Sequence, residues 1–62
     1  MKTEWQNYEQ LKEIPANIHR VEVILSAEKP KEDDNGFIME TAFQYVPIEG
    51  MTLWCRFWVL EE

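Results

Sequence analysis

The sequence predicts an α+β fold, with one N-terminal helix packed on a three-stranded antiparallel β-sheet in the order α-β-β-β and completed by dimerisation. Three observations lead there. Apolar residues recur every three positions from Trp5 to Ile14 and stop at Pro15. The segments 20–26 and 37–46 are rich in β-branched and aromatic residues and alternate in polarity. A third segment, 51–60, has only Thr52 and Arg56 as polar members. One domain spans residues 1–62, with the helix at 3–14 and strands at 20–26, 37–46 and 51–60.

The helix is argued first from its start. Thr3 and Gln6 have the spacing of a capping box, in which each side chain satisfies a free backbone N–H of the first turn. Trp5, Tyr8, Leu11 and Ile14 then form one stripe, with Glu4, Gln6, Asn7, Glu9, Gln10, Lys12 and Glu13 around it. Pro15 ends the element, because the residue before proline is pushed out of the α region. About ten residues are too few to be helical alone in water, so the stripe must dock on the sheet.

In the first strand Val21, Val23 and Leu25 share one face, with Glu22, Ile24 and Ser26 on the other. The charged stretch 27–36 contains Pro30 and finishes in Asn35-Gly36, which marks a solvated loop or hairpin tip. In the second strand Phe37, Met39, Thr41, Phe43 and Tyr45 share a face. A loop of Ile48, Glu49 and Gly50, with Gly50 left-handed, joins it to the third strand. That register sets Tyr45 opposite Leu53 and Phe43 opposite Cys55. Met51, Leu53, Cys55, Phe57 and Val59 then belong to the core face beneath the helix. The opposite face carries Trp54, Arg56, Trp58 and Leu60, with Glu40 placed to pair with Arg56. One short helix cannot cover both faces. In a simple meander the strand 51–60 is also an exposed, apolar edge, which templates pairing with another chain. Both points predict a homodimer through strand 51–60. The alternative places that strand in the centre, with 20–26 parallel beside it.

Composition narrows the function classes. The chain has 62 residues and 45% hydrophobic content, and 13% of its residues are aromatic, which argues against disorder. A net charge of −6 repels phosphate backbones, so direct nucleic-acid binding is not expected. No segment approaches the roughly 18 apolar residues of a membrane span, and residues 1–10 lack the apolar core of a signal peptide. The single Cys55 excludes an internal disulfide and suits a reducing, cytoplasmic setting.

No catalytic, metal or cofactor constellation is present. His19 has no second ligand at metal-binding spacing. Cys55, in the predicted core beside Phe43, lacks a base. The stretch Glu32-Asp33-Asp34-Asn35-Gly36 superficially resembles a calcium loop but lacks the alternating oxygen ligands and the final bidentate Glu. The residues that point to function are those of an interface. Trp54 and Trp58 sit on the face without evident cover, flanking Arg56, with Leu60 and Glu40 nearby. Glu32, Asp33 and Asp34 form an acidic docking loop suited to a basic groove. The expected function is non-catalytic: a larger protein partner bound by a small acidic inhibitor or regulator, of the kind phages or mobile elements use to occlude a host enzyme or defence complex. A ligand-binding or enzymatic dimer with its pocket at the subunit cleft is the alternative.

Overall fold

The computed structural model describes residues 1–39 and 48–60. Two long antiparallel strands form its frame, β2 (Ile18–Ser26) and β4 (Thr52–Val59). A short β1 (Gln6–Asn7) joins the free side of β4, and β3 (Phe37–Ile38) joins the free side of β2. The order across the sheet is β1-β4-β2-β3, with every pairing antiparallel.

The β2–β4 ladder follows from the alternation of both segments. Val21 pairs with Phe57, Val23 with Cys55 and Leu25 with Leu53, all on one face. Glu22 pairs with Arg56, Ile24 with Trp54 and Ser26 with Thr52 on the other. These are the face assignments the polarity pattern predicts. The first face makes the core: Val23, Leu53, Cys55 and Phe57 are buried, and Leu11, Ile18, Val21, Met39 and Val59 pack around them. A bulge between Ile18 and Arg20 bends the start of β2. Asn17 precedes it at φ 61°, a left-handed conformation that asparagine tolerates better than most residues. Gly50 has φ 82°, as the predicted turn requires, and Met51 donates its N–H to the Ile48 carbonyl at 3.0 Å.

The predicted N-terminal helix does not form. Among the described residues there is no α-helix, only a single 3₁₀ turn at Tyr8–Gln10, capped by Asn7 accepting from the Glu9 N–H at 3.0 Å. Residues 1–7 run instead along β4. Lys2 bridges Trp58, Gln6 pairs with Cys55 and Asn7 with Trp54. The Thr3 N–H donates to Phe57 O at 2.9 Å, and Val59 N–H donates to Met1 O at 2.8 Å. Thr3 does cap a backbone N–H, but it is Phe57's, whose N–H reaches Thr3 Oγ1 at 3.0 Å. A helix this short is marginal, whereas the edge of β4 offers a ladder of unpaired backbone groups. The expected stripe is dispersed accordingly. Trp5 is buried on one side of the sheet, Leu11 packs on the core on the other, and Tyr8 and Ile14 are exposed.

The same pairing corrects the predicted topology. β4 is not an edge of a meander. It lies between β1 and β2, and Phe37 and Ile38 pair with Val23 and Glu22 rather than with β4. Nor is β2 parallel to it. With both sides of β4 occupied, a dimer built on strand 51–60 has no edge to use. Residues 40–46 of the predicted strand, including Glu40, Phe43 and Tyr45, lie outside the described residues.

Candidate functional site

The polar face of the β2–β4 pair is organised by one charge from each strand. Glu22 and Arg56 are direct cross-strand partners, 3% and 2% exposed. Their contact is a two-pronged fork: Arg56 Nε donates to Glu22 Oε1 at 2.8 Å, and Nη2 donates to Oε2 at 3.0 Å. A buried pair of this kind is tolerable only when the remaining donors and acceptors are also satisfied. They are. Arg56 Nη1 donates to the Glu32 carbonyl at 2.7 Å and Nη2 to the Asp34 carbonyl at 2.8 Å. Glu22 accepts further from the Trp58 indole at 3.0 Å and from the Gly36 N–H at 2.6 Å.

These bonds pull residues 29–36 across the face as a strap. Trp5 completes the cover: its ring centroid lies 4.4 Å from the Arg56 guanidinium carbon, and its Nε1 donates to the Lys31 carbonyl at 3.0 Å. Pro30, within the strap, is buried. The strap is also tied to itself, since Asp34 N–H donates to Lys31 O at 3.0 Å and Lys31 N–H donates to Asp34 Oδ2 at 2.8 Å. Gly36 lets it descend onto the sheet: a Cβ there would collide with the Val23 carbonyl and press on the Trp5 ring. Among the described residues no buried side-chain nitrogen or oxygen lacks a hydrogen-bond partner.

The electrostatics follow the geometry. The hydrogen-bonded Arg56 holds the Glu22 carboxyl at about 2, well below its ordinary 4.5, against the opposing effect of burial. The bonds from Gly36 and Trp58 act in the same direction as Arg56. Cys55 has no such partner, and burial pushes its thiol up to about 11, which leaves it a small core residue with little thiolate.

The predicted site residues are thereby divided. Arg56 is buried inside the latch, partnered by Glu22, while Glu40 lies outside the described residues. Trp54 and Trp58 are half-buried rather than open, their indoles donating to Ser26 O at 3.1 Å and to Glu22. Lys2 Nζ and the Arg20 guanidinium carbon lie 5.4 Å and 5.9 Å from the Trp58 ring centroid. The expectation that this face lacks cover within the chain is corrected by the strap and Trp5. Leu60 is exposed. Of the acidic loop, Glu32 and Asp33 are exposed and Asp34 is half-buried. His19 is exposed at the bulge of β2.

Glu22, Trp5 and Gly36 are the members that sequence reasoning missed. One signal could have found the first: Glu22 and Arg56 are each a charge flanked on both sides by apolar residues of its strand, which suits two charges that meet. A cleft of about 270 Å³ remains between Lys2–Trp5 and the strap, floored by Arg56 and walled by Lys2, Lys29, Glu4 and Glu32. Its walls carry both signs of charge. Among the described residues no cluster of three His, Cys, Asp or Glu could hold a metal ion, and no helix is long and apolar enough to cross a membrane.

Fold and site together define a small antiparallel β-module latched by a buried ion pair. No family model, no curated protein and no solved structure matches the chain.

Proposed function

We propose that the chain is a non-catalytic protein-binding module, a small acidic regulator that occludes part of a larger protein partner. The observation that carries this reading is the open end of the apolar face. Phe37 is 80% exposed, and Leu25 and Met51 are each 37% exposed. Phe37 lies opposite Val23 and Leu25 opposite Leu53, so these side chains continue the core face beyond its buried part. Large apolar side chains left in water on so small a body support a docking role. The net charge of −6 favours a partner whose contact surface is rimmed with basic groups. Glu32 and Asp33, exposed on the strap that leads into Phe37, suit that rim. On this reading Trp54, Trp58 and Arg56 serve the binding surface from the opposite side of the sheet, by holding β2 and β4 in register.

The test is affinity capture from the source cell followed by reconstitution with the purified captured protein, using wild type, Phe37→Ser and Ile14→Ser. Ile14 is an exposed apolar side chain outside the strands, so it serves as the comparison. Phe37→Ser should weaken binding at least about tenfold, as loss of a hot-spot aromatic does, while Ile14→Ser leaves it intact. Equal affinities for all three would remove this reading.

A further inference from the structure

Residues 27–36 join β2 to the antiparallel β3, as a hairpin connection does, but Asn35-Gly36 at their end does not make the turn. The strap turns earlier, at Lys31–Asp34. Asn35 is exposed, and its neighbour Gly36 is tied down through its backbone N–H to Glu22 Oε2 at 2.6 Å. An asparagine followed by glycine is chemically unstable for a plain steric reason. The glycine nitrogen carries no neighbouring Cβ to hinder its approach to the asparagine side chain.

We infer that Asn35 is a site of spontaneous modification, deamidating through a cyclic imide, which the folded chain holds unreactive through the hydrogen bond from Gly36 to Glu22. In the first step the Gly36 nitrogen attacks Asn35 Cγ as it loses its proton. The N–Cγ bond forms, the Cγ–Nδ2 bond breaks, and the departing amide nitrogen leaves as ammonia with that proton. Water then opens the imide at either carbonyl. One opening gives an aspartate at position 35, and the other gives an isoaspartate whose main chain runs through Cβ. No oxidant, metal or enzyme is required.

Glu22 blocks the first step in two ways. Its two oxygens accept four donors, Arg56 Nε and Trp58 Nε1 on Oε1 and Arg56 Nη2 and Gly36 N on Oε2. Moving the Gly36 proton onto that carboxylate would neutralise the partner of the buried Arg56, so it is a poor base for this step. Its negative charge also lies directly against the nitrogen that would have to become anionic, in a nearly dry site where like charges repel strongly. Substitution at position 36 is not open to the fold as a defence, since a Cβ there meets the Val23 carbonyl. Protection therefore comes from outside the dipeptide.

The products would act back on the latch. Either adds one negative charge to the strap. The isoaspartate also inserts a methylene immediately before Gly36, which displaces its N–H from Glu22 and loosens the carbonyls of Glu32 and Asp34 from Arg56. The modification would be an irreversible, time-dependent release of the strap.

The experiment incubates the purified chain in mildly alkaline buffer and follows position 35 by peptide mapping that separates asparagine, aspartate and isoaspartate. Wild type should convert slowly when folded and rapidly in urea. Glu22→Gln, where Arg56 claims the remaining oxygen, should convert roughly tenfold faster than wild type under folding conditions. Val21→Ala, which weakens the opposite face without touching Gly36, should keep the wild-type rate. Equal acceleration in both variants, or equal rates for folded and unfolded wild type, would overturn the assignment. Should Glu22→Gln fail to fold, wild type decides alone. Conversion and hydrogen exchange of the Gly36 amide should then rise together at urea concentrations below the unfolding transition. Conversion confined to that transition would refute the local latch.

Discussion

The two faces of the β2–β4 pair are built from alternate residues of the same strands, yet they are held together by different physics. On one face Val23, Leu53, Cys55 and Phe57 make contacts that have no direction and depend on volume. On the other, Glu22 and Arg56 collect six hydrogen bonds, from each other, from Trp58 and from the strap, and Arg56 stacks on the Trp5 ring, each contact with a required geometry. The first kind of surface degrades gradually as atoms are removed. The second is satisfied as a whole or becomes a liability, because a buried charge without its partner is worse than no charge. A sheet this small thus has one tolerant side and one intolerant side.

The sharpest way to break the comparison is Arg56→Ala. It strands the Glu22 carboxylate and frees the strap, with an expected loss of about 3–5 kcal/mol, close to all that a domain of this size possesses. Urea titration followed by circular dichroism should show an unfolded or barely folded chain. The double variant Glu22→Leu/Arg56→Met should restore cooperative unfolding, since it leaves no unpaired charge, but its strap should be cut by trypsin after Lys31 far faster than in wild type. Failure of the double variant to recover would mean that the network supplies more than charge pairing.

On the apolar face Leu53→Ala should lose about 3 kcal/mol through its cavity, while Leu53→Met stays within about 1.5 kcal/mol. Comparable losses for both would show that this side is as demanding as the other. Acidification separates the faces without mutation. The Glu22 carboxyl is depressed from 4.5 to about 2, so its contribution is complete above pH 4.5 and is lost as the pH falls toward 2. The interval corresponds to about 3 kcal/mol. Wild type and Leu53→Met should both lose stability in that window, and the Glu22→Leu/Arg56→Met chain should lose much less. The smallest expected effect is that of Trp54→Phe, which removes the bond to Ser26 O along with part of a half-buried ring and should register about 1 kcal/mol in the same titration.

How far the sequence reveals this molecule depends on which chemical groups make each contact. Period-two alternation separates Val21, Val23 and Leu25 from Glu22, Ile24 and Ser26, and it divides 52–59 in the same way, because side chains decide both faces. Gly50 is legible for a similar reason, since its left-handed φ is a preference of that residue. The strap is not legible. It is held by the carbonyls of Lys31, Glu32 and Asp34, and a carbonyl is the same for every residue type. Residues 3–14 mislead for another reason. A spacing of three from Trp5 to Ile14 fits a helix locally, and only the distant edge of β4, unknown to a local pattern, makes the extended form win.

The order of the strands has a consequence for synthesis. β4 lies centrally in the sheet, yet both of its neighbours, β1 and β2, precede it in the sequence. Until residues 52–59 have left the ribosome, the N-terminal segment has no ladder to join, Glu22 has no cation, and the strap has no guanidinium to close on. Only the local pairing of β2 with β3 is open to the growing chain, so the frame and the latch close together in a later step, on a time scale set by contacts between widely separated residues. Before that step its tryptophans travel uncovered, which is when a nascent-chain chaperone would find it.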